Sequence, residues 1–321
     1  MIRLRTSTTE PRPARAVDLP AVGALLDRAF SAYQVSLSFE PAVMDLFWAW
    51  DWGPSKLSLF LGERNAPRAV VMSSVRMARW RGSSLVGVHV GPVGVDPDYQ
   101  RRGYGRTMME AVERRAIKRG ADFMTLTVEA RYGAQRLYGR LGYQIIERFR
   151  PLLAPLQGAG GRWVPGGPVE EVSPIEPGFV FRREPAPQRW NSAIVEAPRK
   201  IFTADTRLGL RGFQLDDAAA VTLTWPVREQ FSWGTTRGRI TQVLRVNGEG
   251  APLYQVLRAA SADAAQLGSA GIYGLPSVGL PVTMFRPEGT AFVYRMAKGL
   301  TDVGKAAVEG TIAYYEICPA C

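Results

Sequence analysis

The chain has 321 residues, 46% of them hydrophobic, and a formal charge of +11. No apolar run approaches the ~18 residues that a membrane-spanning helix requires. The only two cysteines, Cys318 and Cys321, exclude a disulfide scaffold, and with an N-terminus lacking a signal peptide's apolar core they make a cytoplasmic location the expectation.

Taken in order, residues 12–16 read as a strand and 19–32 as a helix with Asp18 at its N-cap. A second helix is expected over 41–50, then strands at 57–63, 68–80 and 85–95 joined by the turn clusters ERNAPR and RGSS. The last of these strands, SLVGVHVGPVGV, is Val-rich and nearly uncharged, as suits a strand buried on both faces. Pro92 within it has no N–H and predicts a bulge. A helix follows over 104–119, with Met108, Val112 and Ala116 on one face, Ala111 and Ile117 widening the stripe, and Gly120 as a left-handed cap. A strand at 123–128, a helix at 132–141 and a strand from 143 complete a mixed α/β sheet with helices on both faces.

Between the Val-rich strand and the helix lies QRRGYGR, residues 100–106. Glycines at 103 and 105 let the backbone approach a ligand closely. The helix N-terminus presents unpaired amides, and Arg101, Arg102 and Arg106 add positive field. This is a phosphate or pyrophosphate cradle. No Lys-Ser/Thr pair follows, so it is not a P-loop, and the G-x-G-x-x-G spacing of a dinucleotide site is absent. A basic surface turn is the plain alternative.

The neighbouring segments give the loop a context. Gln100–Gly105 resembles the Q/R-x-x-G-x-G/A motif of the GNAT superfamily of acyl-CoA-dependent N-acyltransferases, and VDPDY before it is similar to the family's lead-in. Downstream, AQRLYGRLGY (134–143) resembles the family's A-x-x-x-Y-x-x-x-G-F/Y helix and strand start, and RPARAVDLPAVGALLDRAFSAY its first strand and helix. The resemblance covers about residues 10–150. It implies a GNAT fold, acetyl-CoA as acyl donor, and transfer to a primary amine by direct attack in a ternary complex. A non-catalytic acyl-CoA-binding or regulatory protein is the alternative.

By the same resemblance, Val93, Gly94 and Val95 supply backbone contacts to the pantetheine arm. Gln100, Arg101, Arg102, Gly103, Tyr104, Gly105, Arg106 and Thr107 hold the pyrophosphate, and Arg131, Ala134 and Tyr138 lie on the coenzyme side of the following helix. Arg131 stands where the family often has Asn. Tyr138 is implied as the acid that protonates the departing thiolate; a ring packed under its helix is the structural alternative. His89, the single histidine, falls eleven residues before Gln100, where histone-type members place a glutamate base, and Glu129 is the second candidate. A lone histidine on an apolar strand also suits a core position.

Phe30, Tyr33, Phe39, Phe47, Trp48, Trp50 and Trp52 lie in the region that walls the family's acceptor cleft, although most suit a core. Glu40, Asp45 and Asp51 are placed to receive a cationic amine. The acceptor is expected to be a small-molecule or peptide amine, and the chain a monomer or homodimer. About +9 of the charge lies in residues 1–150, but the arginines are scattered without an aromatic-interleaved strand motif, which argues against nucleic acid. No metal is expected: a zinc site needs more ligands than one histidine and a C-x-x-C provide.

Residues 156–178 are rich in Gly and Pro and read as a linker. They separate a catalytic unit, 10–155, from a second unit, 179–321. Strand-like runs RLGLRGFQL, AAVTLTW and RITQVLRV, a helix at 251–268 and strands GIYGLP and FVYRMAKGL repeat the coarse order of the first half. The turn VNGEGAP takes the place of the Gly loop without its arginines. The second half therefore resembles a degenerate GNAT copy, with coenzyme bound by the first half only.

Overall fold

The computed structural model describes residues 10–31, 39–130, 132–150, 152–155, 170–172, 209–227, 238–274, 280, 284–287 and 292–317. In the first half, β1 (Arg12–Pro13), α1 (Leu19–Ala29), α2 (Pro41–Phe47), α3 (Gly53–Ser55), β2 (Leu59–Glu63), β3 (Ala66–Trp80) and β4 (Ser83–Val95) lead to α4 (Tyr104–Lys118). Then come β5 (Phe123–Glu129), α5 (Ala134–Arg140) and β6 (Gln144–Phe149). The remainder comprises β7 (Leu152–Pro155), β8 (Glu170–Val172), β9 (Gly209–Leu215), β10 (Ala218–Val227), β11 (Gly238–Asn247), α6 (Gly250–Gln266), β12 (Ser269–Gly274), β13 (Arg286–Pro287), β14 (Val293–Gly299) and α7 (Asp302–Ile317).

These strands make two seven-stranded mixed sheets, ordered β1-β2-β3-β4-β5-β14-β6 and β13-β7-β12-β11-β10-β9-β8. Each contains one parallel pair, β4 with β5 and β11 with β12, bridged in sequence by a long helix, α4 or α6. A parallel neighbour requires such a crossover, whereas the antiparallel neighbours join by turns. The mixed α/β class is as expected, and the two sheets fit two tandem copies.

Sheet membership crosses the Gly/Pro-rich break in the sequence. β7 pairs with β12 and β13 in the second sheet, while β14 lies between β5 and β6 in the first, matched from Val293↔Glu129 to Gly299↔Phe123. α7 follows β14 onto the same sheet. Leu300 N donates to Asp122 O (2.7 Å), Thr301 Oγ1 to Asp122 Oδ1 (3.0 Å), and Ala307 packs with Leu85 and Phe123. Of the expected linker only β8 is described.

The first sheet is covered on both faces. Val88, Val90, Met124, Leu126 and Val128 meet Met108, Met109, Val112 and Ala116 of α4 and Tyr138 of α5 on one face. Phe60, Val70 and Met72 meet α1 and α2 on the other. Met109 takes the place expected of Ile117, which is exposed: nine residues from Met108 is roughly two and a half turns, the opposite side of the helix. Gly120, at φ +72°, ends this helix as expected. Asp18 occupies the N-cap of α1 but makes no cap bond there. Its buried carboxylate turns back to Arg15 N (2.9 Å) and to Arg64 Nη1 (3.1 Å).

Candidate active site

The loop before α4 is shaped by bonds at its base. Asp96 Oδ2 accepts from Arg28 Nη2 (2.6 Å) and Nε (3.1 Å), and Oδ1 accepts from Asp98 N (3.1 Å), which ties the turn to α1. The Tyr99 ring has the Arg68 guanidinium at 5.0 Å and that of Arg102 at 5.4 Å. A hydrogen bond with Tyr104 holds the Arg68 pKa above its ordinary value. Gln100 Nε2 donates to Val95 O (3.2 Å). From sequence, Asp96 entered only as part of VDPDY, and Arg28 and Arg68 were given no role at the loop. Their roles depend on contacts between distant segments.

Above that base the chain turns through two left-handed residues, Arg101 (φ +60°) and Gly103 (φ +87°). Gly103 is the N-cap of α4, where a side chain meets open space but the backbone angle is strained for any residue except glycine. Gly105 serves packing instead: a Cβ there comes to 3.2 Å from Leu137 Cδ2. The first helical bond runs from Thr107 N to Gly103 O (3.0 Å), so the amides of Tyr104, Gly105 and Arg106 precede the ladder at the positive end of the helix dipole. Arg101, Arg102 and Arg106 are exposed around them, Arg106 with Glu110 Oε1 at 3.5 Å.

Beside this loop the sheet opens. The β3–β4 register steps from Ser73↔Val90 to Val71↔Val93, so Gly91 and Pro92 together oppose one residue: the expected bulge. It reverses the side taken by each later residue. Val88 and Val90 face α4 before it, Val93 and Val95 after it, and Gly94 turns toward α1, where a Cβ would approach Leu26 Cδ2 to 2.8 Å. Pairing of β4 with β5 ends at Val90↔Leu126, although both strands continue. Past that point, among the described residues, Val93 to Val95 pair only with β3. Their edge toward β5 leaves backbone groups for an extended ligand, as strand addition requires.

The catalytic candidates flank this opening from both faces of the sheet. Tyr138 is buried on the α4 side, its ring at 6.1 Å from that of Tyr143 and its phenol pushed up to about 12 by burial. Such a phenol stays protonated through the neutral range. His89 lies between Val88 and Val90 and so faces the other way, as does Glu129, 3% exposed, next to Val128. Thr125, paired with His89 in register, shares that face, and its Oγ1 is 3.1 Å from His89 Nδ1. Sequence reasoning missed Thr125. The signal available was its polarity within the otherwise apolar start of FMTLTVE. Ala134 packs against the α4-side core, and Arg131 lies outside the described residues.

Of the aromatic side chains, Phe39 and Trp52 are core residues, whereas Phe30, Phe47 and Trp48 are half-buried over the same cluster, with Phe47 stacked on Trp52 at 5.2 Å. Glu40 is half-exposed and Asp45 exposed. Tyr33, Cys318 and Cys321, with the side chains of Trp50 and Asp51, lie outside the described residues. Among the described residues no group of three or more His, Cys, Asp or Glu side chains is arranged for a metal, and no helix is long and apolar enough to cross a membrane.

Residues 25–143 match the family model described as "Acetyltransferase (GNAT) family". No curated protein sequence matches the chain significantly. Among solved structures, it is similar to a GCN5-related N-acetyltransferase from Kribbella flavida (16% identity, 93% of this chain and 72% of that one, TM-score 0.56). It is also similar to one from Anabaena variabilis (13%, 92% and 74%, TM-score 0.54). Saccharomyces cerevisiae N-myristoyltransferase, solved with bound myristoyl-CoA, gives 12% identity, 93% and 81% coverage and a TM-score of 0.60. At these identities the likeness is one of fold. The Gly loop, the bulge and the parted strands all fall inside the matched span, and residues 25–143 are a domain of the GNAT acetyltransferase family.

Proposed function

We propose that this chain is an N-acetyltransferase that moves an acetyl group from acetyl-CoA to the primary amine of a small molecule or peptide. The observation that carries this reading is the parting of β4 from β5 beside a basic, glycine-shaped helix entrance. The residues fit the coenzyme: bare amides and arginines for its phosphates, and the unpaired edge of Val93–Val95 for its pantetheine arm. The coenzyme supplies the thioester.

Everything else falls to the chain. An ammonium is no nucleophile, so the acceptor must lose a proton, and His89, on the face of the sheet away from α4, is assigned that step, with Glu129 as the second candidate. As the new C–N bond forms and the C–S bond breaks, the thiolate leaves on the α4 side, where the Tyr138 hydroxyl gives it a proton. Acid and base on opposite faces of a parted sheet suit a donor and an acceptor that meet in the gap. Residues 10–155 carry the chemistry and residues 179–321 form a degenerate second copy, with β7 and β14 exchanged between the sheets.

The deciding experiment incubates the protein with acetyl-CoA and a panel of amines, small and peptidic, and measures thiol release together with the acetylated product by mass spectrometry. Coenzyme binding without turnover on any amine would replace this reading with that of an acyl-CoA-binding protein.

A further inference from the structure

The turn that enters the cradle hangs on one residue. Asp96, the first residue after β4, engages all of its polar atoms. Its N–H donates to Arg68 O on β3 (3.0 Å), and its carbonyl accepts from Tyr99 N (2.8 Å), which closes the short turn over Pro97–Tyr99. In the carboxylate, Oδ1 accepts from Asp98 N (3.1 Å), and Oδ2 accepts from two nitrogens of Arg28, Nη2 at 2.6 Å and Nε at 3.1 Å. The third guanidinium nitrogen, Nη1, donates to Ala24 O (3.1 Å), so Arg28 is braced on its own helix while it grips the turn. Among the described residues, the hydrogen bonds from residues 96–103 to α1 and β3 all leave from Asp96. The Arg28 side chain is 53% exposed and that of Asp96 12%.

We infer that Arg28 is a positioning residue for the coenzyme cradle, acting through Asp96: its planar fork fixes the carboxylate, and the carboxylate fixes the turn that leads to Arg101, Gly103 and the first amides of α4. Both donors of the fork converge on Oδ2, which leaves Oδ1 to the Asp98 amide. A rotation of the carboxylate breaks both contacts at once. An ion pair with one partner this exposed adds little to global stability, so its effect falls on the geometry of the loop. That geometry matters because a phosphate is held by several amides aimed at one point. Lysine at residue 28 keeps the charge but has no fork. The inference rests on the proposed function for its effect on coenzyme, but not for the ordering of the turn.

The test compares the full wild-type chain with Arg28→Lys, Arg28→Gln and Asp96→Asn. Two quantities are measured: amide hydrogen exchange of residues 98–103 without ligand, and affinity for coenzyme A by calorimetry. Positioning predicts faster exchange confined to those residues in all three variants, and coenzyme A bound about tenfold more weakly, the factor that one lost charge-assisted hydrogen bond carries. Melting temperatures should stay close to wild type. Arg28→Lys introduced into Asp96→Asn should add no further loss, because the two residues act as one unit. If Arg28→Lys binds like wild type while Arg28→Gln does not, the charge counts and the fork does not, and the inference is overturned. Faster exchange across the whole chain with a large fall in melting temperature would overturn it too, since the pair would then be a general stabiliser. A wild type that binds no coenzyme A would sink the cradle reading by itself. The exchange of residues 98–103 then still decides the positioning role: unchanged in Arg28→Lys refutes it, and raised supports it.

Discussion

α4 and α6 hold the same place in their respective sheets, each bridging the one parallel pair, yet their entrances are opposites. α4 is entered through exposed Arg101, Arg102 and Gly103. The N-cap of α6 is Glu249, whose carboxylate repels an anion, and the preceding Gly248 is pressed against β10, where a Cβ would come to 2.8 Å from Ala218 Cα. The strands differ likewise. β11 and β12 also cease to pair partway, after Gln242↔Tyr273, but there Leu280 and Phe285 are buried with Val243 and Ile272. On the proposed reading, the crossover frame alone does not make a site. A site needs the entrance charged and the gap left open.

The largest effect expected from this contrast is at Gly103. Gly103→Glu adds a side chain and a negative charge to the cradle and should abolish coenzyme binding in calorimetry. Glu249→Arg, at the other entrance, should create no second site, because Leu280 still fills the gap. A Gly103→Glu protein that binds like wild type would place the cradle elsewhere. Next in size, Tyr138→Phe keeps the ring and its packing against Tyr143, so melting temperature and coenzyme affinity should hold while kcat falls roughly 10²–10⁴-fold. An unchanged kcat would make Tyr138 a core residue only. Titration should then give one coenzyme per chain, and two equal sites would erase the distinction between the entrances.

The smallest effect is on alkaline stability. Burial raises the Tyr138 phenol from its ordinary 10 to about 12 in the folded state. Its contribution is complete below pH 10 and is lost as pH climbs from 10 through 12, by on the order of 2 kcal/mol. Urea titrations over that range should show a shallower decline for Tyr138→Phe than for wild type. Tyr143 and Tyr273, also raised by burial, keep some slope in both.

Features with a local physical cause were legible. The Gly loop, the stripe of α4 and the Pro92 bulge each follow from a few adjacent residues: a left-handed turn, a helical period, a missing N–H. Contacts between distant segments were not. Alternation along Val293–Gly299 marks a strand but does not name β5 and β6 as its neighbours. No element was expected over 302–317, where Gly304 and Gly310 lower the helix propensity. In the fold both positions leave no room for a side chain, Gly304 against the Asp122 carbonyl and Gly310 against the Trp80 ring. At the site, a single histidine and a tyrosine of the right spacing could be picked out, but the face each occupies depends on the bulge and on strand partners.

The insertion of β14 has a consequence for how the protein is made. When Phe149 has been synthesised, β5 and β6 have no partner between them, and the strand that fills the space is still encoded downstream. At translation rates of about 5–20 residues per second, the nascent chain carries those two open edges for roughly ten to thirty seconds. Open edges invite pairing with other chains. Acetyl-CoA binding to the ribosome-bound first half should be weak or absent until residues 293–299 emerge, so that the timing of synthesis, and not only the final sequence, sets when activity begins.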